Sequence, residues 1–178
     1  MILFAMVGLT SLAIAQKKRT TTSATINFDA TTSLDKLPKA DNKTVIASLD
    51  IKTGNVAFES IVKSFTFSNP KMQEHFNGDK WMDSDKFPTA TFTGKITNLS
   101  AVNFKKDGTY TANVSGNLSM HGITKPVTTI ASVVVSGKKL NTTTDFSVKL
   151  ADFGINGGAI AAGKVATEPK ISVVAEFK

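Results

Sequence analysis

The stretch YTANVSGNLSM, residues 110–120, decides the fold. Tyr110, Ala112, Val114, Gly116, Leu118 and Met120 take every second position, with Thr, Asn and Ser between them. Successive side chains of a strand point to opposite faces, so this run reads as a strand with one apolar and one wet face. One-sided strands of this kind belong to antiparallel sheets.

The same pattern extends outward in both directions. Towards the C-terminus, Val127, Thr129, Ala131, Val133 and Val135 alternate, and so do Leu140, Thr142, Thr144, Phe146, Val148 and Leu150. Ile171, Val173, Ala175 and Phe177 form a last strand. Towards the N-terminus, residues 89–96 carry Phe92 and Ile96, residues 43–50 carry Val45, Ala47 and Leu49, and residues 24–28 carry Ile26 and Phe28. In residues 55–67, Val56 and Phe58 keep one phase, while Ile61, Lys63, Phe65 and Phe67 keep another. That slip predicts a bulge or kink in a long strand between Phe58 and Ile61. Turn signals separate the strands at Thr53-Gly54-Asn55, Lys106-Asp107-Gly108, His121-Gly122 and Ser136-Gly137-Lys138. Residues 31–42, with Pro38, read as a loop or short helical turn, and residues 154–163 as a glycine-alanine loop.

One short helix is expected. Ser68-Asn69 can cap it, Pro70 occupies a favoured first position, and Met72 and Phe76 share a face before Asn77-Gly78 ends it. About eight strands with one helix must stack or close, and closure removes exposed edges. The expected fold is therefore all-β: an antiparallel eight-stranded up-and-down barrel with one or two short helices, with a sandwich as the second choice. A barrel of that size holds either its own side chains or one small ligand.

Composition narrows the chemistry. The 178 residues contain no cysteine and two histidines, so thiolate metal sites, cysteine nucleophiles and histidine clusters are not expected. The 23 threonines suit strands and are read as their wet faces. Residues 1–15, MILFAMVGLTSLAIA, carry no charge and end in Ala13-Ile14-Ala15, the small-residue pattern of a secretory signal cut after Ala15. A periplasmic or secreted protein is therefore expected, with its domain at residues 22–178. The net charge of +7 comes from lysines and one arginine, Arg19, dispersed along the chain. Without arginine forks, nucleic acid is not the expected partner; loose contact with an anionic membrane surface fits better.

Motifs of catalysis are sparse. No G-x-S-x-G or phosphate-binding glycine loop occurs. Ser119 and His121 lie two apart and are the only pair worth weighing as a hydrolase site. Asp83 and Asp85 flank Ser84 without the spacing of a calcium loop.

Three segments carry a family resemblance: TGNVAFES (53–60), FSNPKMQEHFNGDKWMDSDKFPTATFTGKI (67–96) and YTANVSGNLSMHGITKPV (110–127). They resemble the YceI-like family, also called polyisoprenoid-binding, over residues 22–178. The resemblance implies a lipocalin-like barrel, export to the periplasm, and an isoprenoid chain such as a quinone or polyprenol tail held inside. No catalytic residue, metal or further cofactor is implied.

The leading expectation is thus a non-enzymatic lipid-binding barrel. The candidate lining is Phe58, Phe65, Phe67, Phe92, Ile96, Val114, Leu118, Phe146, Val148 and Phe177. Met72, His75, Phe76, Trp81 and His121 are expected at the rim or as family signature positions. The alternative is a structural or interaction barrel with a fully packed core, and an esterase-like enzyme is third. The sequence leaves the oligomeric state open.

Overall fold

The computed structural model describes residues 18–177, so the expected signal segment lies outside the described residues. In chain order the strands are β1 (Lys18–Asp29), β2 (Lys39–Asp50), β3 (Asn55–Ile61), β4 (Thr66–Phe67), β5 (Thr89–Ile96), β6 (Gly108–Met120), β7 (Ile123–Ser136), β8 (Lys139–Ser147) and β9 (Lys170–Phe177). Two helices, α1 (Pro70–Asn77) and α2 (Gly158–Ala161), complete the set with three short 3₁₀ turns.

Every pairing is antiparallel. The order β1-β9-β8-β7-β6-β5-β3-β2 closes through β1–β2 into an eight-stranded barrel, and β4 adds a two-residue stub to β2. Apart from that stub, each strand pairs with its neighbours in sequence, as an up-and-down barrel requires. The β6–β7 hairpin runs in unbroken register from Gly108↔Val135 to Met120↔Ile123. Its turn is His121-Gly122, with φ of 50° and 74°. Two successive positive φ values match the right-handed twist of the flanking strands, and glycine at the second position makes them affordable.

The alternation in 110–120 behaves as read: Ala112 and Val114 are buried, while Thr111, Asn113 and Ser115 are exposed. Val45, Ala47 and Leu49 are likewise buried on one face of β2. In α1, Asn69 Oδ1 accepts the Lys71 N–H at 2.9 Å and Pro70 stands at the first turn.

Three local expectations are corrected. Of the bulge or kink expected between Phe58 and Ile61, no bulge is found, because β3 pairs with β5 in continuous register from Asn55↔Lys95 to Ile61↔Thr89. Ser60, not Ile61, takes the inward position: Ser60 is buried and Ile61 is half exposed. The phase change instead occurs in the 3₁₀ turn Val62–Ser64. The register shifts lie between β1 and β2, around Ala24. Residues 31–42 are loop only to Pro38; β2 starts at Lys39 and buries Asn42 completely. Asn42 Nδ2 donates to the Ile61 carbonyl at 3.0 Å, and its Oδ1 accepts from the Thr44 N–H and hydroxyl, so both polar atoms of this buried amide have partners. Finally, the loop 154–163 contains the helical turn α2.

Apolar side chains gather in two clusters. The first, around Val45, Leu49, Val133, Leu140, Ala175 and Phe177, packs one end of the barrel. The second, around Val62, Phe65, Phe76, Met82, Phe153 and Ile155, lies beneath α1 and the 3₁₀ turn Leu150–Phe153 at the other end. The second end is called the mouth below.

Candidate functional site

The barrel interior is not filled. A cavity of about 170 Å³ runs between the two clusters, and the atoms facing it are almost all carbon. Phe58, Phe92, Leu118 and Phe146 point inward yet remain only half-buried, because they border this space rather than neighbouring side chains.

Glycine keeps part of the space open. Phe58, Phe92 and Leu118 lie side by side across β3, β5 and β6. Gly94 and Gly116 follow on the same inner face and pair with each other. A Cβ on Gly116 would stand 2.6 Å from Phe92 Cζ and 2.5 Å from Gly94 Cα; one on Gly94 would stand 2.7 Å from Phe92 Cζ. The Phe92 ring therefore lies flat along the wall over two glycines instead of projecting across the lumen.

Nine of the ten candidate lining residues border this inner cavity: Phe58, Phe65, Phe92, Ile96, Val114, Leu118, Phe146, Val148 and Phe177. The tenth, Phe67, lies outside it and lines a second cavity of about 130 Å³ at the mouth. The reason is that β3 ends at Ile61, so Phe67 belongs to the stub β4 beyond the barrel rim. The second cavity is bounded by loop 30–38 (Asp35, Pro38), by α1 (Met72, His75, Phe76), by Trp81 and by Ala159, Lys164 and Val165. Phe28, Phe76 and Trp81 border both cavities and so form the partition between them. Phe76 sits at the centre of an aromatic cluster, with ring centroids 5.0 Å from Phe67, 5.6 Å from Phe65 and 5.9 Å from Phe28. Tilted ring pairs at these distances are favourable beyond the area they bury.

His121 borders neither cavity. Its Nδ1 lies 2.8 Å from the Phe153 carbonyl and its ring packs edge-on against Phe87 at 5.1 Å. It ties the β6–β7 turn to the 3₁₀ segment that covers the mouth. Ser119 bonds to the Thr124 hydroxyl at 2.7 Å. The two side chains weighed as a hydrolase pair are thus each hydrogen-bonded to other partners.

Sequence reading missed several lining groups. Met82, Ile155 and Pro169 reach the lumen from irregular segments, where no periodicity marks the inward face. Thr129, Thr142 and Thr144 also line it, against the reading of threonine as a wet-face residue. Their alternation with Ala131 and Phe146 was the signal that could have placed them inside. Their hydroxyls are bonded to the wall: Thr144 donates to the Ile130 carbonyl at 3.0 Å and Thr129 to the Asp145 carbonyl at 3.1 Å. Methyl groups are left to face the cavity. Among the described residues no group of His, Asp and Glu is placed to hold a metal ion.

At the mouth, Asp29 closes β1. Burial pushes its carboxyl up, but hydrogen bonds from Thr31 and Lys39 outweigh this and hold it below the usual carboxylate range. Lys39 Nζ stands 3.2 Å away.

A family model described as the YceI-like domain matches residues 11–177. The chain is 31% identical over 139 residues to a "UPF0312 protein" of Pseudomonas putida, covering 74% of this chain and 62% of that protein. It is 29% identical over 136 residues to "Protein YceI" of Salmonella newport, covering 72% and 60% respectively. The match thus spans about three fifths of these relatives' length. Among solved structures, a polyisoprenoid binding domain from Saccharophagus degradans, implicated in plant cell wall breakdown, superposes with a TM-score of 0.76 at 14% identity, over 91% of this chain and 98% of that one. BcnA of Burkholderia cenocepacia gives 0.68 at 19% identity, over 91% and 96%. At these identities the structures show the same fold.

Proposed function

This chain belongs to the YceI-like family, and from that premise we propose that its barrel binds an apolar isoprenoid-type lipid, a quinone or polyprenol tail, as a non-enzymatic carrier or sequestering protein. One observation carries the reading: inward-facing aromatic and aliphatic side chains border an empty apolar space in a closed barrel. A fully packed structural barrel would have no such space.

The size of the space sets what enters. About 170 Å³ is of the order of an engineered apolar cavity of ~150 Å³ that stays dry and takes up benzene. The walls as they stand accommodate a short length of chain. A longer tail runs past the Phe28–Phe76–Trp81 partition into the mouth cavity, where Asp35, His75 and Lys164 supply polar groups for its head. Each buried CH₂ contributes ~0.8 kcal/mol, so a tail needs no specific polar contact to be retained. The name of the Saccharophagus degradans neighbour gives the same ligand class for that protein.

Export to the periplasm or the outside, with removal of residues 1–15, is part of the same proposal and rests on the sequence. Purified protein extracted with organic solvent should yield an isoprenoid-type lipid by mass spectrometry, and emptied protein should take up a polyprenol or quinone. Repeated absence of lipid together with no uptake would sink the reading. Fractionation of cells, with N-terminal sequencing of the exported chain, should find Gln16 first.

A further inference from the structure

We propose that the mouth of the barrel is a docking surface for a lipid bilayer, with Leu34 and Leu37 as its anchors. The inference rests on the lipid-binding reading above and adds where the ligand enters and leaves.

Leu34 is 71% exposed and Leu37 is 51% exposed, on the loop 30–38. The other large exposed apolar side chains among the described residues, Ile46, Ile61, Ile130, Val134 and Val174, stand on strands of the barrel wall, whereas Leu34 and Leu37 lie three apart on one short loop at its mouth. The loop does not hold them there by being slack. The Ala30 N–H donates to the Pro38 carbonyl at 2.8 Å and closes it. Within it, the Thr32 hydroxyl accepts from the Leu34 and Asp35 N–H groups, and Asp35 Oδ1 accepts from the Leu37 N–H. Outside it, the Ala166 N–H donates to the Ala30 carbonyl at 2.9 Å. The backbone is therefore fixed with both leucines turned outward.

The anchors are continuous with the ligand site. Asp35 and Pro38, beside the two leucines, line the mouth cavity. Leu34 Cδ1 lies over Gly163, where a Cβ would meet it at 3.4 Å, on the segment that supplies Lys164 and Val165 to the same cavity. A lipid leaving a bilayer would pass these leucines before reaching Phe76.

Charge agrees with a membrane held by apolar contact. The mouth-end loops, residues 30–38, 62–88, 121–122 and 148–169, carry seven lysines and seven carboxylates. The far-end loops, 51–54, 97–107 and 137–138, carry four lysines against Asp107 alone, and at the strand ends there Lys18, Arg19 and Lys139 outnumber Asp50 and Glu176. The mouth is thus the balanced end, suited to a zwitterionic surface, while the excess positive charge points away from it. Apolar insertion is insensitive to salt, whereas contact through the lysine-rich far end would be screened.

The test is flotation with vesicles of dioleoylphosphatidylcholine, and in parallel with vesicles containing dioleoylphosphatidylglycerol, at low salt and again at 0.5 M NaCl. Wild-type protein should float equally with the phosphatidylcholine vesicles at both salt concentrations, and the double variant Leu34→Glu, Leu37→Glu should bind at least tenfold more weakly. Both side chains are exposed, so its melting temperature should stay unchanged; Leu34→Ser, Leu37→Ser gives a milder control on the same point. Trp81, the single tryptophan, borders both cavities, and its fluorescence should be quenched by acyl-chain-brominated phosphatidylcholine in wild type only. Binding confined to anionic vesicles and lost in salt would overturn the proposal in favour of the far end. So would a solution dimer that the glutamates break, with no vesicle binding. Lipid content is read separately: an intact lipid load in a protein that never floats defeats the docking surface alone, whereas flotation without lipid or uptake defeats the binding reading alone.

Discussion

The two ends of this barrel use the same alternating strands for different purposes. At the far end, Leu49, Val133, Leu140 and Phe177 are all at most 2% exposed and pack into one cluster that floors the inner cavity. At the mouth, rings of similar size border open space, and loops rather than strands supply half the wall. The far end is built to hold the sheet closed. The mouth gives up packing for access, and a chain without disulfides can do this only because the other end is so well filled.

Truncation at the far end should break the comparison hardest. Phe177→Ala removes a fully buried ring opposite Leu140 and should cost about 3–5 kcal/mol in denaturant unfolding. Phe76→Ala at the mouth removes an equally large ring from a wall that already faces two cavities. It should cost at least ~1 kcal/mol less than Phe177→Ala, because Phe76 borders two cavities and is 8% exposed, whereas Phe177 borders one and is 1% exposed. It should also join the two cavities and so admit a longer apolar dye, whereas Phe177→Ala only deepens the floor of the inner cavity and leaves the partition in place.

Gly116→Ala probes the wall between the ends. The new methyl would stand 2.4 Å from the Thr93 carbonyl oxygen and 2.6 Å from Phe92 Cζ, so the strands or the ring must move. Overpacking of this kind should cost about 1–3 kcal/mol, read as a fall in melting temperature. The smallest effect concerns the anchor of loop 30–38. Asp29 is held below the usual carboxylate range, so its contribution is complete above that range and is lost as pH falls through its lowered value. Lys39→Ala should raise the Asp29 pKa in an NMR titration and leave the melting temperature at pH 7 nearly unchanged, since an exposed pair contributes little.

The strands were legible because a side chain on a pleated surface has only two choices, and Ala112, Val114, Val133 and Leu140 each made the expected one. The helix α1 was legible from Asn69, Pro70 and Gly78. Ser60 misled, because a serine at an inward position looks like a break in an apolar series. Phe67 misled for the related reason that a strand's end is set by a turn, here Val62–Ser64, that carries no periodic mark. The far-end lining was therefore readable, whereas the mouth, assembled from loop 30–38, Trp81, Met82 and residues 150–165, was not. Whether the interior is open was beyond the pattern altogether. It depends on the Phe92 ring lying over Gly94 and Gly116, a matter of ring direction that spacing does not encode.

The central claim is that the lumen holds lipid, and filling the lumen tests it most directly. Leu118→Phe extends a half-buried side chain into the inner cavity beside Phe92. By native mass spectrometry, wild-type protein incubated with a polyprenol should carry one lipid per chain, and Leu118→Phe should carry at least tenfold less at an unchanged melting temperature. Equal loading of the two proteins, or no loading of either, would contradict the account.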